Sequence, residues 1–152
     1  MKTIRSAGLA LLGLVVSCSD AVAPVHQPTD LESARQQWRA QNLHTYAFTI
    51  QRSCFCANTH RLYVFVQSDT VAGVLDLDTA EPVDRKLGET VDGLFTFIRN
   101  AIDRSAQKIL AVYDATKGFP TEIDYDGAAQ IADDEIFYHI SDVHPVTPQA
   151  PR

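Results

Sequence analysis

The chain has 152 residues, 13 basic and 19 acidic side chains, five His and three Cys. That length suffices for one domain with a real hydrophobic core. The negative balance argues against nucleic acid as a partner and against electrostatic adhesion to anionic lipid heads.

The first element is a secretory signal. Lys2 and Arg5 precede an unbroken apolar run from Ala7 to Val16, followed by Ser17 and Cys18. The run falls short of the about 20 apolar residues that span a bilayer, and a charged start, short apolar core and small residue before the cut describe a signal peptide. A Cys directly after the small residue is the layout of a bacterial lipobox. Residues 1–17 are therefore expected to be removed, and Cys18 is the expected lipidated N-terminus, carrying diacylglycerol and palmitate-type acyl chains. Two or more chains give stable membrane attachment where one gives only marginal binding. Cleavage removes seventeen of the 152 residues and leaves 135. Losing Lys2 and Arg5 takes the basic count from 13 to eleven against 19 acids, a net charge of −8. The expected location is the cell envelope; in a diderm bacterium, Ser19 after the Cys in place of Asp allows the outer membrane.

Residues 18–28 read as a lipidated tether, with two Pro and small residues. Residues 29–143 read as a single domain, and residues 144–152, with Pro145, Pro148 and Pro151, as an irregular exposed tail. Thr29-Asp30-Leu31-Glu32 fits a capping box, in which Thr29 caps Glu32 and Glu32 reaches back. Leu31, Ala34 and Trp38 then recur at helical spacing. Tyr46, Phe48 and Ile50 alternate as in a strand with one buried face. Strands follow at Arg61–Gln67 and Val71–Asp78 around the turn Ser68-Asp69-Thr70.

Thr79 to Glu89 is a polar crossover. A second helix starts near Thr90, with Val91, Leu94, Phe95, Ile98 and Ile102 on one face. Strands at Lys108–Asp114, Thr121–Asp126 and Glu135–Ser141 complete the chain, the first pair joined through Lys117-Gly118. The expected fold is α+β: two helix-plus-three-strand units forming an antiparallel sheet of about six strands, with the helices on one face and the other face open.

Two groups could carry chemistry. With Cys18 consumed by lipid, Cys54 and Cys56 remain as a pair in an oxidising compartment, which favours a disulfide. In an extended strand their Cα atoms would lie roughly 6.6 Å apart, near the upper limit for a bridge, so closure needs a local kink. Cys54, Cys56 and His60 also form a weak set of soft ligands for zinc or copper(I), without a visible fourth member. The stretch Glu122 to Asp133 resembles a calcium loop, with Asp124, Asp126 and Asp133 as weak ligand candidates. Its flanks read as strands, so the acids are better explained as the solvent side of a strand whose Ile123 and Tyr125 face in. Serine elbows, phosphate loops, paired-His helices and dinucleotide motifs do not occur, so no catalytic residue, enzyme activity, resident metal or cofactor is assigned.

Trp38, Tyr46, Cys54-x-Cys56, Thr90-Val91-Asp92, Gly118-Phe119-Pro120 and Ala132-Asp133-Asp134-Glu135 occur together from about Leu31 to Val143. In this combination the chain resembles a family of bacterial secreted or lipid-anchored proteins classed as a domain of unknown function. Tyr is common in that family where Phe119 stands. The resemblance implies an envelope location and a compact domain, and no activity. The expectation is a non-catalytic binding module, anchored to the membrane through Cys18, that takes a protein or small-molecule ligand on the open sheet face or at the Cys hairpin. The alternative is a metal- or thiol-handling envelope protein centred on Cys54, Cys56 and His60. A hydrolase ranks third, without a nucleophile to name.

Overall fold

The computed structural model describes residues 28–56, 59–127, 131 and 133–147. The expected signal peptide, Cys18, most of the tether and the tail beyond Thr147 lie outside the described residues. Helix α1, Pro28–Ala40, presents buried Leu31, Ala34 and Trp38. It already includes Thr29, so the helix starts before the residue expected to cap it. Glu32 Oε1 pairs with Arg99 across the helix interface.

Strands β1, Thr45–Cys54, β2, Arg61–Gln67, and β3, Thr70–Asp76, form an antiparallel meander. The β2–β3 turn is Ser68-Asp69, both in the left-handed region at φ 51° and 61°. Two such residues match the right-handed twist of a tight hairpin. The third strand stops at Asp76, two residues before the expected end. The cause is Asp76 itself, whose Oδ1 accepts the amides of Asp78 at 2.8 Å and Thr79 at 3.2 Å and turns the chain.

Helix α2, Val91–Asp103, begins where the sequence places it. Thr90 caps it, its Oγ1 accepting the Gly93 amide at 2.9 Å. Buried Val91, Leu94, Phe95 and Ile98 form its inward face, with Ile102 half-buried beside them. Strands β4, Lys108–Tyr113, β5, Pro120–Asp126, and β6, Ile136–Pro145, follow. The last runs beyond the expected domain end: His144 and Pro145, expected in the tail, pair with Ala47 and Tyr46.

All six strands join in one open antiparallel sheet of order β3-β2-β1-β6-β5-β4. The fold is α+β. The first and last strands pair at the centre, so β3 and β4 occupy opposite edges and the segment between them, with α2, crosses the sheet. Both helices pack on one face. Trp38 meets Tyr46 edge-on at 5.2 Å between ring centroids, Phe95 stacks on Tyr113 at 6.0 Å, and Phe97 meets Tyr125 at 5.1 Å and Tyr138 at 5.6 Å. The Tyr46 hydroxyl accepts the Val91 amide at 3.1 Å, tying the first turn of α2 to the central strand. Burial pushes this phenol up to about 12, so it stays neutral at every physiological pH.

The two edges differ. Leu75 bridges to Pro82, the Asp76 amide donates to Glu81 and the Val83 amide to Val74, so a non-strand segment covers β3. The β4 edge instead carries Lys108 and a register shift at Val112/Tyr113, features that discourage edge-to-edge pairing. Among the described residues no helix is long and apolar enough to cross a membrane.

Candidate binding cavity

The Cys hairpin, the acidic stretch and a cavity between the sheet and α2 are the places where chemistry-bearing side chains gather. At the hairpin, strand geometry ends at Cys54 and the chain bends through Phe55 and Cys56. The bend supplies the expected kink: the Cα atoms of Cys54 and Cys56 stand 5.2 Å apart, and the pair is at disulfide distance. Phe55 between them is 83% exposed, more than any other large hydrophobic residue described.

His60 does not join the two Cys in one ligand set. Its Nδ1 lies 2.5 Å from Asp76 Oδ2. Among the described residues the only trio whose ligand atoms lie within 4.8 Å of one another is His60, Asp76 and Asp78. Asp76 is the only polar or charged side chain among the buried described residues, 5% exposed. Its Oδ2 meets His60 and its Oδ1 holds the turn amides, while Asp78 Oδ1 accepts from Arg61 Nη2 at 3.2 Å and Nε at 3.3 Å. The trio is thus a knot of internal pairs that fixes the start of β2 to the end of β3. A cation there would have to break the His60–Asp76 bond and displace Arg61 from Asp78.

This knot has a pH signature. The hydrogen bond to Asp76, with its negative charge, raises the His60 pKa above the ordinary 6.5. The same bond lowers Asp76 below the ordinary 3.8, with the Asp78 and Thr79 amides helping and burial opposing. A raised His stabilises fully below its unfolded value and loses that effect as pH climbs through its folded value. A lowered Asp stabilises fully above its unfolded value and loses it as pH falls through its folded value. The pair therefore stabilises fully from about pH 4 to about pH 6.5 and fades on both sides. The melting-temperature gap between wild type and His60→Gln is expected to be widest in that window and to shrink toward pH 9. A gap constant from pH 5 to 9 would remove the pair from the account.

The acidic stretch follows the strand reading. Ile123 is fully buried, Tyr125 packs on Phe97, and Glu122 is exposed. Asp124 pairs with Lys108 across the ladder at 2.6 Å. Burial, then Asp134 and Glu135, push the Asp126 carboxyl up. The structure does not bring Asp124, Asp126 and Asp133 together: among the described residues they form no trio within 4.8 Å. Asp133 is exposed, at φ 71°. His44 is exposed and pairs with Asp69 at 2.9 Å.

The cavity was not legible as a motif. It holds about 130 Å³ between the C-terminal half of β1, the start of β2, the 3₁₀ turn Arg85–Leu87 and α2. Its walls are apolar where Ile50, Leu62, Leu94 and Phe97 meet, and Arg52, His60 and Lys86 reach the same space. Tyr138 closes one side. Burial raises its phenol, and the Arg52 guanidinium, which also hydrogen-bonds it, pulls the value partly back. Gly88 makes the arrangement possible, because a Cβ there would stand 2.7 Å from Val74 Cγ2 and 3.3 Å from Val64. One sequence signal pointed this way: Asp76 occupies an inward position of the β3 alternation, where an acid demands a nearby cationic or hydrogen-bonding partner.

Among known proteins, the family of unknown function DUF6174 matches residues 30–145. No curated protein matches the chain. No solved structure matches it either.

Proposed function

The chain belongs to this family of unknown function, and from that premise we propose that it is a lipid-anchored cell-envelope protein acting as a non-catalytic binding module. The observation that carries the reading is the cavity, where a concave apolar wall and a few convergent polar groups meet. That combination is the usual composition of a small-molecule site. It lies beside His60 and the Cys hairpin end of the sheet, one of the two places where the sequence puts binding. The signal-like start and Cys18 support the anchor, and the proximity of Cys54 and Cys56 supports their pairing. The order of elements supports reading the domain as two helix-plus-three-strand units laid side by side in the sheet. The metal- or thiol-handling alternative loses support, because His60 is turned to Asp76 and the two Cys stand at disulfide distance from each other.

The test uses the full chain purified from its envelope. Intact mass is expected to show acyl chains lost in Cys18→Ser, and no added alkyl group at Cys54 or Cys56 before reduction. Adding envelope extract is expected to shift the NMR signals of Leu94, Phe97 and Tyr138 and leave Phe137 and Val112, on the opposite sheet face, in place. Shifts confined to Phe137 and Val112 would move the binding surface to the open face. No shift anywhere would end the binding reading.

A further inference from the structure

We propose that the cavity takes a small monocarboxylate whose apolar body is about the size of a benzene ring, the carboxylate held at the mouth by Arg52 and Lys86. This inference rests on the cavity being the binding site and adds the class of its ligand.

Size sets the body. The space is about 130 Å³, close to the roughly 150 Å³ apolar cavity known to accept benzene. Ile50, Leu62 and Leu94 are each at most 6% exposed, so the inner wall has few groups that reward a polar ligand. An inorganic anion would leave that wall unfilled.

Charge sets the head. The chain is net negative, −6 over its whole sequence, so its overall field does not gather anions. Selection must come from local groups. Among the described residues Lys86 is in no ion pair. Arg52, on the opposite wall, hydrogen-bonds Tyr138. Its planar, always-charged guanidinium has a geometry that suits a carboxylate. Glu89 lines the same space and keeps its charge while its Oε1 accepts the Thr90 amide at 2.9 Å; Asp76 is matched to His60. Arg52 and Lys86 together outnumber that one carboxylate, so the balance over the apolar floor is one positive charge. Two first-turn amides of α2 are already taken, Val91 donating to Tyr46 and Gly93 to Thr90.

The experiment titrates the full chain with benzoate, benzyl alcohol, benzylamine and acetate, following the side-chain NMR signals of Leu94, Phe97, Tyr138 and Arg52. Benzoate is expected to shift all four saturably, at least about tenfold more tightly than benzyl alcohol, the factor that one lost charge-assisted contact gives. Benzylamine and acetate are expected to have no effect at the same concentrations. Lys86→Gln, an exposed change that leaves the fold intact, should weaken benzoate and leave benzyl alcohol unchanged. Benzyl alcohol or benzylamine binding as tightly as benzoate would overturn the carboxylate while leaving the cavity a binding site. Acetate binding as tightly would overturn the apolar body. If none of the four probes moves a cavity signal, the ligand class and the reading of the cavity fall together.

Discussion

Trp38→Ala and Phe95→Ala are each expected to lower the stability of the full chain by about 3–5 kcal/mol in urea unfolding, the range for large aromatic truncations in cores. The two residues reach one core from different helices. Trp38 is 3% exposed and lies between Tyr46 at 5.2 Å and Phe119 at 6.5 Å, both edge-on. Its Nε1 donates to Asp92 on α2 at 3.3 Å, so its loss leaves a cavity and removes a tie between the helices. Phe95 is fully buried and stacks on Tyr113, on the strand at one edge of the sheet. Both side chains belong to one buried cluster with Leu31, Tyr46, Leu94 and Ile98, so truncating either leaves a void in a close-packed interior. Val112→Ala supplies the comparison: at 53% exposure on the opposite face it should change stability by about 0.5 kcal/mol or less. A loss below about 1 kcal/mol for both aromatics would mean that the helices do not share this core.

Most of this framework was written in local pattern. The α2 stripe placed five inward residues, and the alternation of β2 gave its two ends, because burial on one face forces a periodicity that single residues cannot hide. Boundaries failed where side chains, not periodicity, decide them. Asp76 ends β3 early by bonding two amides beyond it, and pairing with β1 carries β6 to Pro145 despite the proline. The Thr29 capping box matched a spelling, but Glu32 found Arg99, which is 67 positions away in sequence and adjacent only after folding. The cavity failed for the same reason on a larger scale. Arg52, His60, Lys86, Phe97 and Tyr138 come from separate segments, and no spacing links them. The sequence also showed Cys54 and His60 close along the chain, and closeness along the chain suggested a shared site. In the fold His60 opens a new strand and answers a buried Asp instead.

Gly118→Ala should cost about 3 kcal/mol, although it adds a single methyl group. Gly118 sits in the β4–β5 turn at φ +82°, a conformation that L side chains rarely adopt. Holding a residue with a Cβ there stores about 1–3 kcal/mol. The turn also touches α1. A Cβ at this position would lie 2.4 Å from the Ala34 carbonyl oxygen and 2.8 Å from the Trp38 amide nitrogen. Both are backbone atoms of the helix, so no rotamer change relieves the overlap, and overpacking of this kind adds about 1–3 kcal/mol. The helix would have to move away, and it holds much there. Gln37 Nε2 donates to the Ala115 carbonyl at 2.8 Å, and Phe119, next in the chain, is buried against Trp38. The close approach thus explains why a Gly stands before Phe119 and Pro120 in this turn. Gly73→Ala isolates the effect, because nothing lies within 4 Å of its would-be Cβ and its φ is not positive. That variant should be neutral or gain up to about 1 kcal/mol through a less flexible unfolded chain. Equal unfolding midpoints for the two variants would show that the turn and α1 are not in contact.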